Sequence, residues 1–424
     1  MLSTTGTMLE IRRLYRENFH ISDENLPFVQ WSSVVRKVIE YQQKTNFCRV
    51  KRNLTALDIA MRVNRVDNYI AAFMQHKVLS LEVRVPFVGR RVLFNRYIEH
   101  VVRSSVFSWC EQETLDEERF MSAARLRITF FVYALMSLVV APPFILLNVM
   151  LALFKYTENS RSSSPAAGSL SAISWSNYTN WKVREYNEYP HSLANRMSRA
   201  ITHMQGFLAS LESKKRRLVR RFVSYVLSCV LALLLAISFV NDELLLNLEF
   251  FGKRLYWYTL VLGFALTWLS ERHVASSSEQ ERGHESYFSG IQRETHYSVF
   301  KSPGEAFEKY KNYVRSRGAL VVEEVSSYVL TPLFLLFVFI PSIPRIIDFV
   351  RKNTVRVEGV GDVCVYSTFD LRNFGSLRVD DEEEEKEEGE EQEDLLFGFS
   401  VYALDPKCKM EKSYFSFMAE MGQR

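Results

Sequence analysis

The chain has 424 residues, 47% of them apolar and 13% aromatic, with a formal net charge of +4, enough hydrophobic material for a sizeable core and too much for a wholly disordered chain. The small net charge conceals an acidic run, Asp380 to Asp394 (DDEEEEKEEGEEQED), with twelve carboxylates and one lysine; without it 52 basic face 37 acidic residues. A basic body of that kind suits an anionic lipid surface, and no nucleic-acid-binding signature accompanies it, so nucleic acid is not an expected partner.

Residues 1–127 are mostly polar and read as a cytosolic helical region. Trp31, Val34, Val35 and Val38 fall at i, i+3, i+4 and i+7, one stripe of an amphipathic helix. Between Val92 and Phe107 a wide apolar face is interrupted by Arg96 and Arg103. That pattern suits a helix lying in a membrane interface, and equally one packed on a neighbour. The first thirty residues show no secretory signal pattern, so internal segments must direct insertion.

Ile128 to Phe154 is the first long charge-free run, 27 residues, with Arg119, Arg125 and Arg127 before it and Lys155 and Arg161 after it. Basic residues collect on the cytosolic side of short flanks, so both ends read as cytosolic. Pro142 and Pro143 sit mid-run, and proline removes a backbone donor and clashes one turn back. The expectation for 128–154 is a re-entrant hairpin, its limbs too short to cross alone; a kinked spanning helix competes. Residues 155–221 read as cytosolic helices with a Ser/Pro/Gly connector, Ser162 to Ala172. They end in KKRRLVRR, six basic residues in the eight from Lys214 to Arg221.

That basic end places the start of the next run in the cytosol. Phe222 to Asn241 then crosses, Asp242 to Arg254 forms the far loop, and Leu255 to Ser270 returns, so 222–270 reads as two spanning helices. Sixteen residues is short for the returning span. Residues 271–324 read as a cytosolic linker and helices. Residues 325–350 (VSSYVLTPLFLLFVFIPSIPRIIDFV) carry Pro332, Pro341 and Pro344 between Arg315 and Arg317 before and Arg351 and Lys352 after. A second re-entrant segment is expected there. Beyond it, 351–378 alternates β-branched residues around glycines, a small cytosolic β-hairpin, and 379–424 reads as an acidic disordered tail.

Five cysteines (Cys48, Cys110, Cys229, Cys364, Cys408) lack CxxC spacing and a companion histidine cluster, so free thiols are expected, with no metal and no cofactor. No phosphate-cradling glycine loop or nucleophile elbow occurs. Polar residues do fall within the apolar runs: Ser137, Asn148, Thr259, Thr267, Ser326, Ser327 and Thr331. Hydroxyls in such helices commonly bond their own backbone. Alternatively they line a polar path that lowers the barrier a charged headgroup meets in hydrocarbon.

Four ordered motifs then stand out: WSNYTNWKVREYNEYPH (Trp175 to His191), THYSVF (Thr295 to Phe300), TPLFLLFVFIPSIPRIIDFVR (Thr331 to Arg351) and VEGVGDVCVYSTFDLRNFG (Val357 to Gly375). Together they closely resemble the core of the autophagy-related protein nine family, in matching order from about Trp31 to Gly375. The residues carrying the resemblance are Trp181, Arg184, Glu185, Asn187, Glu188, His191, Thr295, His296, Tyr297, Asp348, Gly359, Gly361 and Cys364; Pro190 departs from the family's pattern. The resemblance implies an all-α homotrimeric membrane protein of Golgi-derived and endosomal vesicles, the phagophore assembly site and the endoplasmic reticulum. It implies an ATP-independent phospholipid scramblase rather than a conventional enzyme, and a bridge-like lipid-transfer protein as partner. By the same resemblance Thr259 and Thr267 align with polar positions of the returning span, and Glu158 and Arg161 represent a charged cluster after the first hairpin. Two spanning helices that family members carry before the region matching Met1 to Val50 have no counterpart here, which reads as a late start or a reduced member. A vesicle scaffold without transport is the rival function, and an ion channel or solute transporter a weaker one.

Overall fold

Helical apolar spacing and well-made caps account for the first elements of the computed structural model, which describes residues 2–45, 51, 53–79, 81–85, 89–92, 94–107, 122–161, 173–210, 214–240, 249–250, 252–269, 284–296, 314–371 and 406–422. Helix α1 is Leu2–Arg13, and α2, Trp31–Thr45, buries Val34 and Val35 as its stripe predicts. Helix α3, Ala56–Val63, starts at a capping box: the Thr55 hydroxyl accepts the Asp58 N–H at 3.2 Å and the Asp58 carboxylate accepts the Thr55 N–H at 2.8 Å. Two orphan donors are thereby satisfied. Helix α4, Arg65–Gln75, is central, with Tyr69, Ile70, Ala71, Ala72 and Phe73 all buried, which requires an almost uniformly apolar circumference.

The ribbon of β1 (Glu82–Val85) and β2 (Gly89–Val92) leads to α5, Arg96–Val106, capped by Asn95, which accepts the Ile98 N–H at 2.7 Å. Ile98, Val101, Val102 and Val106 are buried in the main core. Of the two readings of this apolar face, the described structure has it packed on neighbouring helices.

Helix α6 runs unbroken from Ala123 to Arg161, 39 residues through Pro142 and Pro143, roughly 58 Å at 1.5 Å per residue. The expected break into two short limbs is thus corrected. Each proline costs on the order of 3 kcal/mol in a helix interior. Burial of Leu126, Phe130 and Ala134 on one stripe, and packing against α12 below, offsets that. The opposite face, including Ile128, Phe131, Leu135, Val139 and Leu146, is exposed and apolar.

Strand β3, Ile173–Trp175, pairs antiparallel with β6, Val314–Ser316, bringing Ile173 opposite Ser316. Helices α7 (Asn177–Val183) and α8 (Pro190–Ser210) follow, then α9, Lys214–Val240. The two-residue strands β4 (Glu249–Phe250) and β5 (Lys253–Arg254) turn the chain into α10, Leu255–Leu269, which packs along α9. Helix α11, His284–Thr295, lies against α8 at very close approach: a Cβ on Gly206 would stand 2.4 Å from the Tyr287 ring, and one on Gly290 2.8 Å from the His203 ring.

Helix α12 (Arg317–Phe334), a wide π-helical turn (Leu335–Phe339) and α13 (Ile340–Lys352) make one helical stretch through Pro332, Pro341 and Pro344. Here too the expected break at the prolines does not occur. Phe334, Leu335, Phe339, Ile343, Ile346 and Val350 line its buried side, and the π turn lies between Pro332 and the later pair, widening the helix where ideal bonding is already interrupted. Strands β7 (Thr354–Val357) and β8 (Gly361–Cys364) form the hairpin expected in 351–378, with Gly359 at φ +78° and Gly361 at φ +93° supplying the left-handed turn.

The tail expectation holds an error. Pro406–Met421 is a helix, α14, with Met410, Phe417 and Met421 buried against the main core. Residues 372–405, with the acidic run, and the connector 162–172 lie outside the described residues. The described chain is thus mainly helical, as expected, with four two-stranded antiparallel ribbons instead of one. Among the described residues three helical segments are long and apolar enough to cross a membrane, Ala123–Leu151, Leu218–Ile237 and Gly318–Lys352. With Phe222, Leu233, Leu235 and Phe239 exposed on α9 as well, this is a membrane protein.

Candidate functional site

The family-like motifs converge on one polar knot. Its pivot is Asn187, held at φ +58°, a left-handed conformation that asparagine tolerates better than most residues. The Asn187 N–H donates to Asn68 Oδ1 at 2.8 Å, and Asn68 Nδ2 donates back to Asn187 Oδ1 at 2.8 Å. Asn64 Nδ2 donates to the Asn187 carbonyl at 3.2 Å, and Asn187 Nδ2 donates to the Ser367 carbonyl at 2.7 Å. The loop between α7 and α8 is thus tied to α4 and to the turn after β8.

On one side of the pivot two guanidinium groups approach the Trp181 ring, Arg184 at 4.9 Å and Arg103 at 5.3 Å from its centroid, and the indole N–H donates to Glu99 Oε2 at 3.0 Å. Asp67 faces both arginines, pairing with Arg184 at 2.6 Å. On the other side Arg196 grips Glu188 with two bonds, Nε to Oε1 at 2.9 Å and Nη2 to Oε2 at 2.8 Å, and donates to the Glu294 carbonyl at 2.8 Å. The paired fork satisfies both buried charges. Glu185 pairs with His296. Burial alone would raise the Glu185 carboxyl, yet the His296 and Arg196 charges hold it down at about 2.

Most of the residues carrying the resemblance therefore meet: Trp181, Arg184, Glu185, Asn187, Glu188 and His296, with buried Thr295 donating to the Ile291 carbonyl at 2.7 Å. Cys364 lies beneath them, its thiol pushed up to about 12 by burial, an inert packing group. His191 stands at the edge, 3.6 Å from Glu420 and stacked on Tyr189. Two are elsewhere. Asp348 forms an exposed pair with Lys352 at 3.0 Å, and Gly359 makes the hairpin turn so close to Lys51 that a Cβ there would lie 2.5 Å from it. Tyr297 falls outside the described residues. The partners in the knot that sequence reasoning missed are Asn64, Asp67, Asn68, Glu99, Arg103, Arg196 and Glu294. Polar positions on the otherwise apolar α4 were the available signal.

The membrane-depth candidates are separate from the knot. Thr259 on α10 donates its hydroxyl to the Tyr256 carbonyl at 2.7 Å, a local backbone bond. Thr267 lies on α10 and Glu158 and Arg161 on the last turns of α6, with side chains outside the described ones. A different polar seam joins α6 to α12: Asn148 Nδ2 donates to the Tyr328 hydroxyl at 3.0 Å, with the Phe144 ring alongside at 6.0 Å. One step along α12, Asn95 Nδ2 donates to Ser327 Oγ at 2.7 Å and to Thr331 Oγ1 at 3.2 Å.

Long apolar helices attached to a polar body define an integral membrane protein. The chain belongs to the family described as Autophagy protein ATG9, whose model matches residues 1–370. It is 26% identical to Autophagy-related protein 9 of Dictyostelium discoideum over 88% of this chain and 54% of that protein. To Autophagy-related protein 9 of Arabidopsis thaliana it is 27% identical over 87% of this chain and 44% of that one, and to Autophagy-related protein 9A of Homo sapiens 26% over 86% and 44%. The chain thus spans about half the length of these relatives. The cryo-EM structure of Schizosaccharomyces pombe Atg9 superposes with a TM-score of 0.63 at 21% identity, covering 87% of this chain and 84% of that one, so the two share a fold.

Proposed function

We propose that this protein equilibrates phospholipids between the leaflets of vesicle membranes that feed the growing autophagosome, without ATP, as a homotrimer at Golgi-derived, endosomal and phagophore-assembly membranes. A bridge-like lipid-transfer protein is its proposed supplier of lipid. Membership of the ATG9 family motivates the pathway, and the polar seam of Asn148 and Tyr328 within an otherwise apolar surface is the observation that carries the mechanism. A headgroup moving through hydrocarbon needs polar partners along its way. Asn148, Tyr328 and the Asn95 to Thr331 cluster offer such partners beside α6 and α12, and Thr259, Thr267, Glu158 and Arg161 are proposed to extend the path.

In this reading α9 and α10 span the bilayer, while the unbroken α6 and the stretch α12 to α13 lie obliquely in its cytosolic leaflet, both ends of each on the cytosolic side. Both ends of the latter stretch rest on the same body, which supports the reading: β6 pairs with β3 next to α7, and Thr354, just past α13, hydrogen-bonds the Tyr69 hydroxyl of α4 at 2.7 Å. The test is reconstitution of the intact protein into liposomes with an inner-leaflet fluorescent lipid. Faster dithionite bleaching of the inner-leaflet pool is expected, slowed by Asn148→Leu with Tyr328→Phe; bleaching no faster than in empty liposomes contradicts the proposal. The scaffold reading rests on the buried knot, which would hold the surrounding surface in a fixed shape for recruiting partners, and predicts full autophagy in cells carrying those two seam substitutions.

A further inference from the structure

Helix α14 touches three separate parts of the knot. Ser413 Oγ accepts the Tyr186 N–H at 3.0 Å, Lys412 Nζ donates to the His296 carbonyl at 3.2 Å at the end of α11, and the Ser192 hydroxyl in the first turn of α8 donates to Glu420. Lys409 Nζ donates to the Lys182 carbonyl at 3.2 Å and lies 5.5 Å from the Tyr186 ring centroid. Apolar anchors complete the seat: Met410, Phe417 and Met421 are buried, with the Phe417 ring 6.0 Å from Phe369. Between α14 and the bases of α8 and α11 a cavity of about 420 Å³ remains, lined by Glu185, Asn195, Arg196, Glu294, Ser416 and Glu420 among others. The seat thus combines apolar anchors in the main core with an incompletely filled polar gap against α8 and α11.

The position matters because α8 and α11 flank the membrane pair in the chain. Three residues separate Ser210 of α8 from Lys214 of α9, and α10 is followed by α11. A helix bridging the bases of α8 and α11 therefore bears on how α9 and α10 stand. It also lies beyond the family-matched residues 1–370, joined to them through 372–405. Because α14 meets its seat within one chain, modest affinity suffices to keep it docked.

We propose that α14 is a releasable intramolecular latch: docked, it clamps the α8–α11 pair to the knot, and released, it frees that pair and the α9–α10 hairpin it carries. The proposal stands apart from the lipid-transport reading. Hydrogen exchange on the full chain in lipid nanodiscs tests it, comparing the unmodified protein with the Phe417→Asp, Met421→Asp double variant. We expect exchange at least about tenfold faster in 408–420, in 291–296 and in 192–198, with 69–74 unchanged. Adding a synthetic peptide of residues 406–421 to the double variant should restore protection at 291–296. Four results overturn the proposal: 408–420 stays protected, it loosens alone, 69–74 loosens equally so that α14 is integral core, or the peptide restores nothing.

Discussion

Asn187 and Asn68 exchange a matched pair of hydrogen bonds, both 2.8 Å, across 119 residues of sequence and entirely out of solvent. A backbone held in a left-handed conformation is thereby fixed by a side chain from another helix. Asn68→Ala strips partners from a buried N–H and a buried carbonyl oxygen, each worth about 1 to 3 kcal/mol when left unmade. Asn187→Gly keeps the backbone conformation but loses the side-chain bonds. Both variants should lower the thermal midpoint in detergent, and their double-mutant cycle should show coupling of roughly 0.5 to 3 kcal/mol. Additive effects would show that the pair does not act as a unit.

Arg196 and Glu188 illustrate the cost of half a buried pair. Arg196→Met leaves a buried carboxylate without its fork and should destabilise by about 3 to 5 kcal/mol, while Arg196→Met with Glu188→Leu should recover most of the loss. Thermal unfolding of the two variants under identical detergent conditions distinguishes them. Equal destabilisation of both would contradict the reading of the pair as mutually satisfied charges.

Close approach of α8 and α11 depends on two glycines. Gly206→Ala drives a methyl into the buried Tyr287 ring and should cost about 1 to 3 kcal/mol. Gly290→Ala meets the ring of His203, which is only half-buried and can swing outward, so its cost should be smaller. Trypsin cleavage at Arg199 and Arg293 provides the readout, faster in the Gly206 variant.

The seating of α14 should depend on pH through Lys409. Its ammonium faces Glu185 and Glu188 from the loop, Arg196 from α8, Lys182 from α7 and His76 at the end of α4, and burial pushes it down to about 8 from 10.5. The docked helix therefore binds a proton less tightly than the released one. The penalty is fully present below about pH 8 and fades as pH rises toward 10.5, so docking tightens across that window. Glu185 acts in the acid range: held at about 2 against 4.5, its contribution is present above 4.5 and lost as pH falls toward 2. Spin labels at Ala194→Cys and Ala419→Cys, in a background weakened by Met421→Ala, should report a larger docked fraction at pH 9.5 than at 7.5. A docked fraction that falls over that interval would contradict the assignment.

What the sequence made legible followed local rules. The Trp31 to Val38 stripe, the hairpin at Thr354 to Cys364 and the lengths of the apolar runs all depend on periodicity or turn chemistry within a few residues. The prolines misled because their effect is not local: packing of Phe130 against Phe339, with ring centroids 5.5 Å apart, helps hold both helices intact where an isolated segment would break. The knot was half visible, since Trp181 to Glu188 stood out as a motif, but Asn68 and Arg103 are chosen by contacts over about a hundred residues. Helix α14 was missed for a different reason. Met410, Tyr414, Phe417 and Met421 do fall at helical spacing, and the neighbouring acidic run dominated the reading of the tail.

Arg315 and Lys352, which bracket the stretch α12 to α13, offer the most direct test of a segment that leaves the bilayer by the face it entered. Single-cysteine reporters at the two positions, in sealed vesicles treated with a membrane-impermeant maleimide, should both react from the same side. Cys364 can remain as a native residue because its buried thiol does not compete. Labelling from opposite sides would show that the stretch spans the membrane, and would contradict the proposed path for lipid.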